Sequence, residues 1–518
     1  MCMLPRELIG EICNVLIPRD AVELGKTNKQ FQKNLSRLDF GYKVKHSVCI
    51  GTVFPQRQCL IGVFTQFTIN TINDLNDLHL YLYSQEHVVV HTPVTHLTFG
   101  HDFDQSVSNI KLPPSLTHLT FCYKFNQPVN DLQLPNSLTH LSFGCKFNQS
   151  IDNLKLPESL THLTFESYFN HSIKNVTFPK SLTHLEFGSN FNQSDYNIRL
   201  PQFLTYLKFG YGFDQSVDNL ILPQTLTHLT FGSTFNQSIK NLKLPTSLTH
   251  LDLGDQFNQS VDNLILPPFL TCLKFGYYFK QSIDKLKLPT SLTHISIGSI
   301  SNQSVACIQL PPSLTHLTFG SRFNQPVEGL KLPDSLTHLA FGNWFNQPMN
   351  RVRLPSRLTH LTFGLSFKHP IEQLKLPISL THLTFGDNFN QSIDDIKLPP
   401  SLTHLTFGYS FNQSIDNLKL PPSLTHLTFG CDFNQPIEKL KLSQSLIHLK
   451  FGYFFDQPVN NIKLYDSVTH ITFGEQFNQP IENLKLPRSL THLTFSYNFN
   501  QSTKTLSHLI IRSLDSDC

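Results

Sequence analysis

The sequence predicts a mainly β solenoid of about 19 coils of 22 residues, preceded by a small α-helical module at its N-terminus. Three observations lead there. From Val94 to Asn500 the chain repeats every 22 residues without an insertion or deletion. Within each unit, apolar residues recur at every second position over the segment that would be a strand. Composition agrees, since alanine, the best helix former, occurs only at Ala21, Ala306 and Ala340, whereas phenylalanine occurs 44 times. A chain of 518 residues would otherwise suggest several globular domains, but a solenoid adds core one coil at a time.

In chain order, residues 1–40 carry the helical module. Leu8, Ile9, Ile12, Val15 and Leu16 fall on one helical face. Asp20 and Glu23 have the spacing of a helix start, and Leu24 and Phe31 share a face of the helix that follows. Residues 41–93 lack the repeat but alternate at Leu78-His79-Leu80-Tyr81-Leu82-Tyr83, as a capping strand would. Residues 94–504 form the solenoid. Residues 505–518 are a truncated cap and tail, because Thr505-Leu506-Ser507-His508-Leu509 repeats the strand motif six residues early.

With Leu116 as column one, the core columns can be read directly. Column four (Leu97, Leu119, Leu141) is always Leu or Ile. Column six is Phe except at Leu253 and Ile297, and column ten is Phe except at Ser301. Columns fourteen, seventeen and nineteen (Val129, Leu132, Leu134) are aliphatic, with Asp195 the clearest lapse. The Leu-x-x-Leu-x-Phe spacing is that of a leucine-rich repeat strand, so the solenoid is leucine-rich-repeat-like. Leu119 and Phe121 should then face the core, and His118 and Thr120 the solvent. Pro113 and Pro135, which have no amide hydrogen, mark the corner before each strand. Gly144 and Gly188 at column seven should end it with a turn. Asn126 and Asn148, with Gln127 and Gln149 beside them, should form ladders between coils. No part of the unit has helical periodicity, so the convex side should be extended chain or turn.

Charge and cysteine usage narrow the function classes. Charged residues are 15% of the chain and the net charge is +3, with no basic block in the sequence that would read as a nucleic-acid tract. Ten cysteines are scattered without a CxxC pair, so neither a zinc ribbon nor a redox motif is signalled. No signal peptide is visible after Met1, and no apolar run approaches membrane-spanning length. The expectation is an intracellular, cytoplasmic protein with no cofactor and no metal, and no nucleic-acid or membrane partner. No nucleophile–base pair, phosphate loop or carboxylate pair stands out from the repeat, so an enzyme is not expected.

Two resemblances follow from these motifs. The unit LPxSLTHLTFGxxFNQxI resembles the FNIP repeat, a leucine-rich-like repeat abundant in social amoebae and in giant viruses that infect amoebae. It covers about four-fifths of the chain. Leu4-Pro5-x-Glu7-Leu8-Ile9-x-x-Ile12, followed by Leu16, Asp20, Leu24, Lys29 and Phe31, resembles the F-box, with Phe31 where that family usually has Trp. The F-box resemblance implies docking onto a Skp1-like adaptor through Leu4, Pro5, Leu8, Ile9 and Ile12, and a cullin-type (SCF) ubiquitin ligase that receives the substrate. The alternative is that the helices only cap a protein-binding scaffold or a structural rod.

Columns that vary between coils are not required for stacking, so they are where a target would be read. Columns eight and nine hold Tyr123, Tyr168, Tyr211, Tyr277, Tyr278, Tyr409, Tyr453 and Tyr497, together with Trp344, the only tryptophan. Tyr and Trp dominate protein–protein hot spots, so this turn is the candidate target-binding strip. A second lead is the break in the His and Thr columns at Glu186, Tyr206, Lys208, Asp252, Cys272 and Lys274. Column three is His in every coil except at Tyr206 and Cys272. A row of imidazoles about 4.8 Å apart should repel when charged, which predicts His pKa values below the ordinary one and a fold weakened by acid.

Overall fold

The computed structural model describes residues 47–50, 66–69, 94–194, 199–496, 498–502 and 510–513. The sequence-predicted helical module and the alternation at 78–83 lie outside them. The chain divides into two compact units, residues 1–237 with 241–248, and residues 238–240 with 249–518. Both are built the same way. Each coil contributes one short strand, from His96–Phe99 to His228–Thr230 in the first unit and from His250–Asp252 to His492–Phe495 in the second. Neighbouring strands pair in parallel with a 22-residue offset, His118 opposite His140 and Leu119 opposite Leu141. The rest of each coil is turn or extended chain, and no helix occurs among the described residues.

Burial follows the alternation read from the sequence. In the strand His118–Phe121 the pattern is half-buried, buried, half-buried, buried, which puts Leu119 and Phe121 inside. Columns one, four, six, ten and fourteen close over the core, with Leu116, Leu119, Phe121, Phe125 and Val129 at most 1% exposed. One coil cannot bury enough apolar surface to offset the entropy of ordering its backbone, so stability comes from stacking. The phenylalanines of columns six and ten form two ring stacks, broken at Leu253 and Ile297 in column six and at Ser301 in column ten. Phe121 lies 4.1 Å from Phe125 in its own coil and 5.5 Å from Phe143 in the next. One coil lacks both rings, with Ile297 and Ser301 instead. There Ile300, from a turn position that other coils leave exposed or half-buried, is buried and helps fill the space.

The stacks fan open. Ring centroids in successive coils are 4.0 Å apart at His316 and His338, 5.4 Å at Phe319 and Phe341, and 6.0 Å at Phe323 and Phe345. Adjacent coils therefore converge at the strand face and splay beyond it, which makes the strand face concave.

The glycine column has a different reason from the one expected. Among the described glycines only Gly254 has a left-handed φ, 79°. Others in the column, such as Gly188, Gly210 and Gly342, are required by close approach, since a Cβ on Gly342 would stand 1.7 Å from the carbonyl oxygen of Gly320 in the coil before. Strand length responds to this column. All strands from His184–Glu186 to His470–Thr472 belong to glycine coils and stop at column five. Coils with Cys122, Glu166 or Ser496 in that column run one residue further, to Phe121, Phe165 and Phe495. So do the coils preceding Cys122 and Glu166, His96–Phe99 and His140–Phe143.

The ends also depart from the 22-residue offset. Strands Ser47–Ile50 and Gln66–Ile69 pair in parallel with each other, and the second pairs with His96–Phe99. At the other end Ile510–Ser513 pairs with His492–Phe495, Ile510 standing opposite His492. The last coil is thus four residues short rather than six, and the β-branched Ile510-Ile511 pair occupies the strand in place of Ser507-His508.

Replacing Gly342 by Ala should destabilise the chain by about 1–3 kcal/mol, because the new methyl has only backbone to displace. Gly329→Ala, whose Cβ would meet Ala306 at an ordinary 3.6 Å, should change stability by no more than about 0.5 kcal/mol. Thermal or urea unfolding of the two variants compares them, and equal midpoints would contradict the close-approach explanation.

Candidate functional site

The concave face is built from columns two, three and five, and one carbonyl organises it. The oxygen of Thr95 accepts from the backbone N–H of Thr117 at 2.8 Å and of His118 at 2.9 Å, and from the Thr117 hydroxyl at 3.0 Å. A carbonyl can only accept, so the single hydroxyl hydrogen of Thr117 is committed to it. The contact between Thr117 Oγ1 and His118 Nδ1, at 2.9 Å, must then run from Nδ1–H to the hydroxyl oxygen. The neutral imidazole therefore carries its hydrogen on Nδ1 and keeps Nε2 as its acceptor nitrogen. The same pair of bonds recurs at Thr139 and His140, at Thr359 and His360 and at Thr403 and His404.

Held this way, the imidazoles stack face to face. His118 and His140 have centroids 4.0 Å apart and an interplanar angle of 13°. Tyr206 interrupts the stack, standing 5.6 Å from His184 and tilted 34° from His228. Stacking shields the rings, and desolvation is the main reason the pKa values of His118, His162, His360 and His404 fall. His118, His162, His360 and His404 are lowered from 6.5 to about 4, with repulsion from neighbouring histidines adding to burial. The predicted direction holds, but repulsion is the second cause and not the first. Parallel rings also place their Nε2 lone pairs side by side, so they do not converge on one ion. Among the described residues no group of three or more His, Cys, Asp or Glu side chains could hold a metal ion.

The charged breaks in these columns are paired with one another. Lys208 Nζ donates to the Glu186 carboxylate, and Lys274 Nζ donates to Asp252 at 2.9 Å. Each pair joins adjacent strands, so these charges offset one another across the ladder.

The aromatic strip occupies the turn after each strand. Tyr123, Tyr168, Tyr211, Tyr277, Tyr278, Trp344 and Tyr409 are exposed, Trp344 by 58% and Tyr211 by 62%, and Tyr453 is half-buried. Tyr497 lies outside the described residues, as do Leu4, Pro5, Leu8, Ile9 and Ile12. The strip is not uniform. Tyr123 and Tyr168 flank Lys146, whose Nζ lies 4.1 Å from the Tyr168 centroid and 5.7 Å from that of Tyr123. His101 stacks on Tyr123 at 4.9 Å, and Lys124 pairs with Asp102 at 2.9 Å. In the coil between them Cys145 Sγ donates to Glu166 Oε2 at 2.7 Å, and that bond pushes its thiol pKa up, away from a reactive thiolate. In the second unit Tyr277 and Tyr278 meet edge to face at 4.9 Å, and the Arg322 guanidinium lies 5.3 Å from the Trp344 ring. The sequence identified the aromatic residues; the cationic partners Lys146 and Arg322 were legible only as members of the same turn columns in neighbouring coils.

Comparison with known proteins agrees with this architecture. The family model described as FNIP Repeat matches residues 93–124, 125–168, 169–212, 197–234, 213–256, 235–267, 257–299, 302–344, 345–388, 389–432, 433–476 and 477–507. No curated protein matches the chain. Among solved structures it is similar to CroV588, described as a novel circular leucine-rich-repeat protein, at 42% identity and a TM-score of 0.65, over 85% of this chain and 70% of that one. An internalin, InlF, from Listeria monocytogenes matches at 14% identity and a TM-score of 0.31, over 70% of this chain and 88% of that one. The described residues contain no helix long and apolar enough to cross a membrane.

The histidine stack makes stability depend on acid. Because the folded pKa lies below the unfolded one, the unfolded chain takes up protons first as pH falls through 6.5. Stability should be complete above about pH 6.5 and be lost progressively towards about pH 4. A thermal midpoint at pH 5 that is no lower than at pH 7.5 would contradict this.

Proposed function

Because the chain belongs to the FNIP repeat family, we propose that it is a protein-binding solenoid of the leucine-rich-repeat type whose exposed turns capture a protein target. The scaffold is non-catalytic: the same His–Thr pair recurs coil after coil, and a repeated pair supplies no single reaction centre. One observation carries the binding reading. Tyr123 and Tyr168 hold Lys146 between them on successive rigid turns, exposed to solvent. Aromatic rings fixed by a cation and by their own coils lose little entropy on docking, which is the property of a hot spot.

A more specific reading makes the solenoid the substrate arm of an SCF-type ubiquitin ligase. It rests on the F-box-like spacing of Leu4, Pro5, Leu8, Ile9 and Ile12, the residues that would meet a Skp1-like adaptor.

Two measurements separate these readings. Tyr123→Ser combined with Tyr168→Ser should lower target capture at least tenfold, about 1.4 kcal/mol, while exposed positions leave the thermal midpoint nearly unchanged. Undiminished capture of target proteins by that variant would end the aromatic-turn reading. Leu8→Asp with Ile12→Asp should abolish co-purification with a Skp1-like adaptor without touching target capture. An intact chain that fails to retain the adaptor leaves the scaffold reading alone.

A further inference from the structure

Column eighteen lies between two aliphatic columns in an extended stretch, so its side chain points outward wherever its neighbours point in. In the second unit Lys375 shows this, exposed between buried Leu374 and half-buried Leu376. From Lys331 to Lys485 this position is basic in eight successive coils, seven lysines and Arg353, and all eight are exposed. The strands of those coils pair in unbroken register, from His316 opposite His338 to His470 opposite His492. The eight cations therefore form one row, one per coil, with a step wider than the strand spacing of about 4.8 Å because the coils splay away from the strand face. In the first unit the same column is interrupted by Gln133, Thr177 and Ile221.

Among the described residues none of the eight takes part in an ion pair. Several acids of these coils sit three positions earlier, on a turn, and two of them engage cations outside the row. Asp416 pairs with Lys439 at 2.9 Å and Glu328 approaches Arg351 at 3.9 Å. Like charges repeated at this spacing repel, and a chain of anions laid along them would relieve the repulsion and release its own counterions. Proteins that hold single-stranded nucleic acid add aromatic platforms for the bases. Among the described residues only Tyr465 has its ring close to a member of the row, 5.0 Å from Lys463 Nζ. We propose that this row is a binding site for a linear polyanion without bases, a chain of sulfate or phosphate groups.

The test uses the full chain and two labelled probes, a heparin oligosaccharide and an inorganic polyphosphate of similar length, with fluorescence anisotropy at 50 and 200 mM salt. Lys397→Gln, Lys419→Gln and Lys441→Gln together should weaken binding at least tenfold at 50 mM salt. They should also lower the slope of log affinity against log salt by about two. Removing the same charge from the interrupted column, with Lys111→Gln, Lys155→Gln and Lys243→Gln, should change affinity less than twofold. Binding of both probes supports the shared chemistry, and binding of one alone assigns sulfate or phosphate as the source. Equal losses in the two triple variants, no binding of either probe, or tighter binding of oligothymidylate than of both would overturn the proposal.

Discussion

One acceptor per coil sets the geometry of this protein. The column-two carbonyl receives two backbone amides and a threonine hydroxyl from the next coil, as Thr95 does from Thr117 and His118. That convergence fixes the offset at 22 residues, because a slip of one position would leave the hydroxyl without its carbonyl and turn the leucines outward. It also settles the histidines. With the hydroxyl hydrogen already spent, Nδ1 must donate, the ring cannot rotate freely, and the imidazoles are held face to face.

A second ladder runs along the turns and needs only an oxygen. The side-chain oxygen of Asn126 accepts from the backbone N–H of Asn148 at 2.8 Å and from Gln149 Nε2 at 3.1 Å. Asp214 serves as well, accepting from Asn236 N–H at 2.8 Å and Gln237 Nε2 at 3.0 Å. Lys368 donates its backbone N–H to the side-chain oxygen of Asn346, at 3.2 Å, but offers no oxygen to Asn390 in the coil that follows. Substitution along this column is thus governed by acceptor chemistry and not by amide identity. The serine ladder at the end of the coil works in the same way, Ser159 Oγ donating to the Leu138 carbonyl at 2.6 Å.

These ladders use the side chains that face the strand side and the inner turns, and they leave the outer turns and column eighteen to vary without loss of stacking. The scaffold therefore separates folding from recognition. Tyr277 can stand where other coils carry Ser or Asp, and Ile265 can replace a lysine while 86% exposed. Loops positioned by a rigid frame are where binding residues accumulate, and here every coil supplies one.

Much of this was legible in the residues themselves. The period, the inward columns of Leu119, Phe121 and Phe125, and the Asn–Gln ladder follow from patterns that recur at fixed distance along the chain, and periodic patterning is what fixes a stack. The tertiary structure decided the rest. It made most of the column-seven glycines a matter of backbone contact between coils, since among the described residues only Gly254 takes the left-handed turn conformation. It put Lys146 between two tyrosines of different coils, and it assembled scattered lysines into a row that no contiguous stretch of sequence contains. It set the last strand at Ile510 and not at Ser507-His508. The physical reason is common to all four. A repeat specifies which residues share a column, whereas distances, hydrogen positions and charge neighbours exist only once one coil lies on the next.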